Sequence, residues 1–537
     1  MSATARHRPA AAGSDRPLGA PELARPALPL WQALLLAAAA GPVLDAAFPD
    51  LGWWPLALPG VVMLYVAMLG RRPGAALLVG VVGGFSFYGL HIQWATVYLG
   101  FLPWFALTVA QTLFVAFGVL LMSIVWRRGP LVWTTRRTRL GALPVVVAGL
   151  WTLREVVASM FPFGGFSWAR LAFSQADSPL GDLASVVGAS GLSFAIAWFA
   201  AFLVQLVREP RSRPLLPPIR LGRTLLAAAI GALLLAVPNW PVAVTGMLRV
   251  GGVQGDADSG LYSTVERGTV LRNHLDASAP LLDGDEDLDV LVWPENASDI
   301  SPQGSGGVRR VLQAVADAVD APFVLGAITW TGDGDDQEIF NSVLQIDPGE
   351  GQVDQYDKIH PVPFAEYLPA REFFYPLAPD LFDMVPRDYT FGTRDNVLDL
   401  DGVIAGSAIC YDIVDDDLVR RMVGDGAEII LAPTNNADFG RTDQGAQQLA
   451  IARIRSIETG RSLANVSTVG VSAMVEPDGT VVEQLPTFEP GVMVADLPLS
   501  DTTTGATMVG RGVEYLVGGL GLGGLALVLV TRRTRRR

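Results

Sequence analysis

Tyr356-Asp357-Lys358-Ile359-His360-Pro361-Val362-Pro363-Phe364-Ala365-Glu366-Tyr367-Leu368-Pro369 carries the sole lysine of a 537-residue chain in which every other basic side chain of this type is arginine. The one lysine therefore marks a place that calls for a compact ammonium able to change its protonation state, which a planar guanidinium does not offer. The stretch follows a strand-like run, Gly351–Tyr356, joined through the turn Asp347-Pro348-Gly349 to another, Asn341–Gln345. Lys358 is thus expected just past a strand end. Two further stretches share this layout, a polar group closing a short apolar run: Val292-Trp293-Pro294-Glu295-Asn296-Ala297 and Gly406-Ser407-Ala408-Ile409-Cys410-Tyr411-Asp412.

A thiol attacks a carbonyl as thiolate, so it needs a base or a cation close by. A buried carboxylate can take the thiol proton and return it to a leaving group. An ammonium and a backbone N–H can hold the tetrahedral oxyanion. Cys410, Glu295 and Lys358 have the chemistry for these three roles. His360 is a rival base that also reads as a turn residue. Taken singly, each has a plainer reading: a lone Cys after an apolar strand is a small buried hydrophobe, and a lone Glu or Lys is a surface residue. The three strand-end contexts together argue for a site. Cys410 is the one cysteine, which excludes an intramolecular disulfide and a cysteine-cluster zinc site. His7, His91, His274 and His360 show no ligand spacing.

Around these stretches the chain alternates between strand and helix signals. Leu248–Val253, Asp289–Trp293, Pro322–Ile328, Val403–Ile409, Ile429–Ala432, Ala464–Val466, Ser472–Val475 and Val481–Gln484 read as strands. Val265–Ala277, Gly306–Val319 and Gln444–Gly460 read as helices, the last ending on its glycine. Such alternation predicts a layered α/β domain over about 248–500. Of the 53 acidic residues 44 lie between 241 and 512, against 16 of the 39 basic ones, so a basic nucleic-acid footprint is absent.

The flanks are different. Long apolar runs near 30–47, 52–70, 74–93, 101–126, 141–159, 185–207, 222–240 and 513–531 suit membrane-spanning helices. Their connections alternate in arginine content. Arg71 and Arg72 follow the second run, Arg127, Arg128, Arg136, Arg137 and Arg139 the fourth, and Arg208, Arg211, Arg213, Arg220 and Arg223 the sixth. Both chain ends are arginine-rich too. Arg154 and Arg170 fall on the other side. By the positive-inside rule this predicts eight spans with both ends cytoplasmic and the α/β domain outside the cell membrane. The expected organisation is a disordered cytoplasmic tail over 1–29, a seven-helix membrane domain over 30–240, the extracytoplasmic domain over 248–500, a last membrane helix over 513–531 and a basic cytoplasmic tail over 532–537. The first apolar run reads as an uncleaved anchor rather than a signal peptide.

The three stretches, in this order, resemble the Glu–Lys–Cys triad of the nitrilase superfamily of carbon–nitrogen hydrolases. The pattern Lys-x-His-x-Val-Pro-Phe-x-Glu-Tyr-x-Pro, seven apolar runs before it and one after it narrow the resemblance to the apolipoprotein N-acyltransferases. The resemblance implies an α-helical membrane bundle of eight transmembrane helices plus a nitrilase-like αββα sandwich. It implies Glu295 as general base, Lys358 as oxyanion-stabilising lysine and Cys410 as nucleophile. Glu366 would be the second glutamate that positions them, and Tyr411 would supply an oxyanion-hole N–H. It further implies a phospholipid acyl donor, a diacylglyceryl apolipoprotein as acceptor, and no metal or organic cofactor. Gln254-Gly255, Asn341-Ser342 and Ala452–Arg461 agree with the family. Asp412 stands where many members have Glu, and Asp438 where an aromatic is common. Phe163-Gly164-Gly165-Phe166-Ser167-Trp168 reads either as part of a lipid entrance or as an interfacial aromatic anchor.

Two other functions fit parts of the pattern. A membrane-tethered amidase would use the same triad with water as acceptor. A polytopic transporter or receptor would place polar groups within its spans, yet Asp45, Glu155 and Asp182 lie near span ends or in loops.

Overall fold

Among the described residues, alternating aliphatic runs build twelve strands. The first five are β1 (Gly246–Gln254), β2 (Val290–Val292), β3 (Phe323–Thr331), β4 (Glu338–Asp347) and β5 (Gly351–Asp357). The next six are β6 (Val397–Leu400), β7 (Val403–Ser407), β8 (Ile429–Thr434), β9 (Ser462–Ser467), β10 (Ala473–Val475) and β11 (Val481–Gln484), and β12 (Gly491–Leu499) closes the domain. They form two six-stranded sheets, ordered β12-β1-β2-β3-β4-β5 and β11-β10-β9-β8-β7-β6. In each sheet three neighbouring strands are parallel, β1-β2-β3 and β7-β8-β9, and antiparallel strands flank them. The computed structural model describes residues 23–208, 217–257, 266–283, 286–383 and 388–534. Most of the expected disordered tail, Arg211 and Arg213, Val265, and the last three arginines lie outside the described residues.

The layers follow from where the apolar side chains go. Leu248, Val292, Val343, Leu398, Leu431 and Val466 share one core, the seam between the two sheets. The outer face of the first sheet is covered by helices Thr269–Leu282 and Gly306–Val319, through Leu271, Leu312 and Val315. The outer face of the second carries helices Asp416–Gly424 and Gln444–Thr459. The cluster that buries Val419, Ile451, Ile454 and Ile457 continues into Tyr65, Trp126, Trp151 and Leu192 of the apolar helices. The domain is therefore an αββα sandwich whose second helical layer is seated on the helical bundle.

Among the described residues five helices are long and apolar enough to cross a membrane: Pro73–His91, Phe101–Val132, Arg136–Ala158, Gly181–Arg208 and Gly512–Thr531. Three shorter apolar helices, Leu30–Asp45, Trp54–Met68 and Gly222–Leu235, fall on the remaining expected runs. Large apolar side chains such as Leu35, Phe117, Leu233 and Leu516 stand exposed on these helices, as a lipid-facing surface requires. Gly149 and Gly521 let the helices around them touch backbone to backbone; a Cβ on Gly149 would meet the Val517 carbonyl oxygen at 2.3 Å.

The sequence reading did not anticipate β6, β12 or helix Asp416–Gly424. β12 lies at a sheet edge, half-exposed, with Pro498 in it. An edge position is where a strand tolerates proline and loses its clean alternation.

Candidate active site

Three connections from strand ends meet in the seam between the sheets. Glu295 lies three residues past β2, Lys358 directly follows β5, and Cys410 lies three residues past β7. The Glu295 turn presses on β3 at Gly326, where a Cβ would come within 2.5 Å of the Glu295 Cα; only glycine fits there. Cys410 opens a 3-10 turn, Cys410–Val414, with φ +50°. A non-glycine residue in the left-handed region is strained and needs its surroundings to hold it. Gln448 does so, its Nε2 donating to the Cys410 carbonyl oxygen at 3.1 Å and lying 3.9 Å from Sγ.

Glu295, Lys358 and Glu366 are joined by an amide and an ammonium. Asn341 Nδ2 donates to Glu295 Oε1 at 2.7 Å and to Glu366 Oε1 at 2.9 Å. Lys358 Nζ lies 2.9 Å from Glu366 Oε2 and 3.8 Å from Glu295 Oε1. Glu366 also accepts from the Val362 N–H at 2.6 Å. Glu295, Lys358 and Thr434 all lie close enough to the Cys410 thiol to act on its proton electrostatically. Every residue of the expected triad is thus in one cluster, Glu295 and Lys358 buried and Cys410 half-buried, with Glu366 beside it.

The electrostatics follow from that burial. Removal from water raises the Glu295 pKa, Lys358 pulls it back, and the net shift is upward. Burial alone would lower the Lys358 ammonium, but Glu366 and Glu295 more than reverse this and hold it above the ordinary lysine value. The Cys410 thiol is pushed up to about 12 by burial and then by the Glu295 carboxylate, against the pull of Lys358. The resting sulfur is therefore a thiol.

Tyr411 stacks on Trp168 with ring centroids 6.2 Å apart and planes within 2°, and Phe166 continues the stack. Ser167 Oγ donates to the Val414 carbonyl oxygen at 3.0 Å, and Arg170 pairs with Asp416 at 2.7 Å. The loop 163–170 between apolar helices thus packs directly on the turn that bears the cysteine. Phe163 meets Phe364 and Phe374, each at 6.0 Å, beside exposed Phe161, Phe373 and Leu377. Asp412 accepts from Tyr356 Oη at 2.8 Å and from the Ile409 N–H at 3.1 Å, and burial pushes its carboxyl up to about 7. Asp438 sits in a short turn whose Phe439 packs on Trp94 and Tyr98. His360 points away from the cluster, exposed and paired with Asp415 at 2.8 Å, so the rival base is not in the site. Thr434 and Gln448 were not singled out from sequence. The available signal was Gln444, Gln447 and Gln448, polar residues at helical spacing within an apolar helix.

A thiol, a carboxylate and an ammonium displayed in the seam of an αββα sandwich define a carbon–nitrogen hydrolase-type acyl-transfer domain, here built onto apolar helices. The carbon-nitrogen hydrolase family matches residues 259–506, and the apolipoprotein N-acyltransferase N-terminal domain matches residues 40–202. The chain is similar to an apolipoprotein N-acyltransferase of Mycolicibacterium smegmatis, 30% identical over 91% of this chain and 83% of that relative. It is also similar to one of Azotobacter vinelandii, 29% identical over 95% of this chain and 97% of that relative. Among solved structures, a nitrilase-superfamily amidase from Nesterenkonia AN1 is 20% identical, with a TM-score of 0.36 over 48% of this chain and 93% of that chain. The chain belongs to the apolipoprotein N-acyltransferase family. It is a multi-pass membrane acyltransferase of the carbon–nitrogen hydrolase superfamily, and hydrolysis of small amides is not the favoured activity.

Proposed function

We propose that the protein transfers a fatty acyl chain from a membrane phospholipid, through a thioester on Cys410, to the N-terminal amine of diacylglyceryl-cysteine in apolipoproteins. The carrying observation is the cluster itself: Cys410 in the electrostatic reach of Glu295 and Lys358, and Lys358 held between Glu295 and Glu366.

In the first half-reaction the thiol proton passes to Glu295 as sulfur attacks the ester carbonyl. The Lys358 ammonium and the Tyr411 N–H stabilise the oxyanion. The C–O bond breaks, and the lysophospholipid oxygen leaves with the proton from Glu295. In the second, the acceptor amine gives a proton to Glu295 and attacks the thioester. The C–S bond breaks and the proton returns to sulfur. Glu366 and Asn341 keep the Lys358 ammonium charged and in place.

Both substrates are amphiphiles, which is a reason to seat this domain on membrane helices. The exposed aromatic surface of Phe161, Phe163 and Phe373, beside the Glu366 loop, suits an acyl-chain approach. We read the chain as eight spans, seven over 30–240 and one over 513–531, with the 248–500 domain outside and both ends cytoplasmic. The alternation of arginine-rich connections supports this reading.

The test is mass spectrometry of the purified protein after mixing with phospholipid. The expected result is a fatty-acyl mass on the Cys410 peptide that is discharged by a diacylglyceryl-cysteine peptide and is absent in Cys410→Ala. An unmodified Cys410 under turnover conditions would refute the mechanism.

A further inference from the structure

At the end of the bundle away from the α/β domain lies a cavity of about 610 Å³. Four arginines line it: Arg25, Arg71, Arg72 and Arg127. They converge from three separate parts of the chain. Arg25 comes from the segment before helix Leu30–Asp45, Arg71 and Arg72 from the connection before helix Pro73–His91, and Arg127 from helix Phe101–Val132.

Their placement is built. Arg71 is only 5% exposed, its Nε donating to the Ala67 carbonyl oxygen and its Nη2 to that of Leu28 at 3.0 Å. Arg127 Nη1 donates to the Gly70 carbonyl oxygen at 3.1 Å, and the Ala24 N–H donates to the Arg127 carbonyl oxygen at 2.9 Å. Arg25 and Arg72 stand exposed. The 19-residue helix Pro73–His91 begins in the same wall, with Ala75 lining the cavity, so the positive end of its dipole adds to the four guanidinium groups.

Among the described residues none of the four has a carboxylate partner, whereas Arg170, Arg455 and Arg511 around the catalytic turn each have one. The positive-inside rule accounts for arginines in these connections. It does not account for their convergence on one cavity, nor for burying Arg71. Like charges gathered without counter-charge repel, and an anion in their midst removes that cost.

The structure assigns this cavity to the phosphate of an anionic lipid headgroup, bound in the leaflet opposite the α/β domain. Its place at the ends of lipid-facing helices, with exposed Leu23 at the rim, favours a lipid phosphate over a soluble one. Binding here is separate from the acyl-transfer chemistry and does not depend on it.

The test uses the full-length protein in detergent, titrated by native mass spectrometry with phosphatidylglycerol, phosphatidylcholine or inorganic phosphate. Wild type is compared with Arg25→Gln/Arg72→Gln, whose replaced side chains are exposed; an unchanged Tm verifies the fold. The expected result is a tight phosphatidylglycerol adduct that weakens about 10- to 30-fold in the variant, from two surface charges near a headgroup. Phosphatidylcholine should bind weakly, and millimolar inorganic phosphate should leave the adduct in place. Equal phosphatidylglycerol binding by wild type and variant would overturn the assignment. So would equal binding of the two lipids, or displacement of phosphatidylglycerol by inorganic phosphate.

Discussion

Lys358 Nζ lies 2.9 Å from Glu366 but 3.8 Å from Glu295. The ammonium is therefore neutralised chiefly by Glu366, which under the proposed mechanism leaves Glu295 to exchange a proton with Cys410. Glu366→Gln keeps the shape and removes the charge. Lys358 should then draw closer to Glu295 and hold it ionised, making it a poorer acid toward the leaving group. Acyl-enzyme formation should fall about 100-fold or more, on the scale of one general acid–base contribution. Rapid-quench measurement of the thioester with labelled phospholipid tests this. A rate within a factor of two of wild type would mean that Glu366 has no such role.

The Cys410 thiol is raised to about 12 by burial and by the Glu295 carboxylate. Glu295→Gln removes the second cause, so the thiol pKa should fall although burial remains. Alkylation of Cys410 by iodoacetamide at pH 8 should therefore become faster in the variant while acyl transfer is lost. Intact-mass alkylation across pH 7–10 reads both limbs. An unchanged or upward-shifted profile would show that the carboxylate does not act on the sulfur.

Lys358 is 1% exposed and bonded on the side of Glu366. A guanidinium is broader than an ammonium and cannot place a single charge at the same point. Lys358→Arg should lower turnover by about 10²–10³, the scale of removing an oxyanion donor. The Tm should fall only modestly, because the two carboxylates remain paired. Turnover near wild type would remove the argument from the chain's one lysine.

The legible part of the fold was local. Helix Gly306–Val319 was read with its observed bounds, because Val308, Leu312, Val315, Ala316 and Val319 make one apolar stripe after the Ser305 cap. The site residues were legible because each follows a strand-like run, and because lysine and cysteine each occur once. β12 was not legible. It is an edge strand whose pairing with β1 joins residues 237 to 253 positions apart, and Asp496 and Pro498 interrupt its pattern. Gln448 was not legible either, since its role depends on helix Gln444–Thr459 crossing behind the cysteine turn. Asn341 was visible as part of a motif, but its bridge between two carboxylates depends on three separate connections meeting.

Gly326 lets β3 pass against the Glu295 turn, and a Cβ there would meet Glu295 Cα, Asn296 N and Pro294 O, all within 2.6 Å. These are backbone atoms and cannot rotate away. Gly326→Ala should destabilise the domain by about 1–3 kcal/mol, as overpacking does, and should displace Glu295. Thermal unfolding and thioester formation should both suffer. A stable variant with normal acyl-enzyme formation would show that the turn can shift without moving the carboxylate.

Arg455 is the buried hub behind the cysteine turn. It donates to the carbonyl oxygens of Ile413 at 3.0 Å and Val414 at 2.9 Å, and it pairs with Asp416 and Glu458, each at 2.6 Å. Asp416 also takes Arg170 from the loop 163–170, so one carboxylate ties the cysteine turn to both layers. Burial would raise the Asp416 pKa, but Arg170 and Arg455 outweigh it and hold the carboxyl far below its ordinary value. A depressed folded-state pKa contributes stability that is fully present above the unfolded value of about 3.9 and is lost as pH falls below it. Arg455→Met leaves Asp416 with fewer cations and Glu458 with none, and should cost about 3–5 kcal/mol at neutral pH. It should also flatten the acid limb of the Tm–pH curve, because less of the Asp416 stabilisation remains to be lost. A parallel downward shift of the whole curve, with the acid limb unchanged, would assign Arg455 to packing alone.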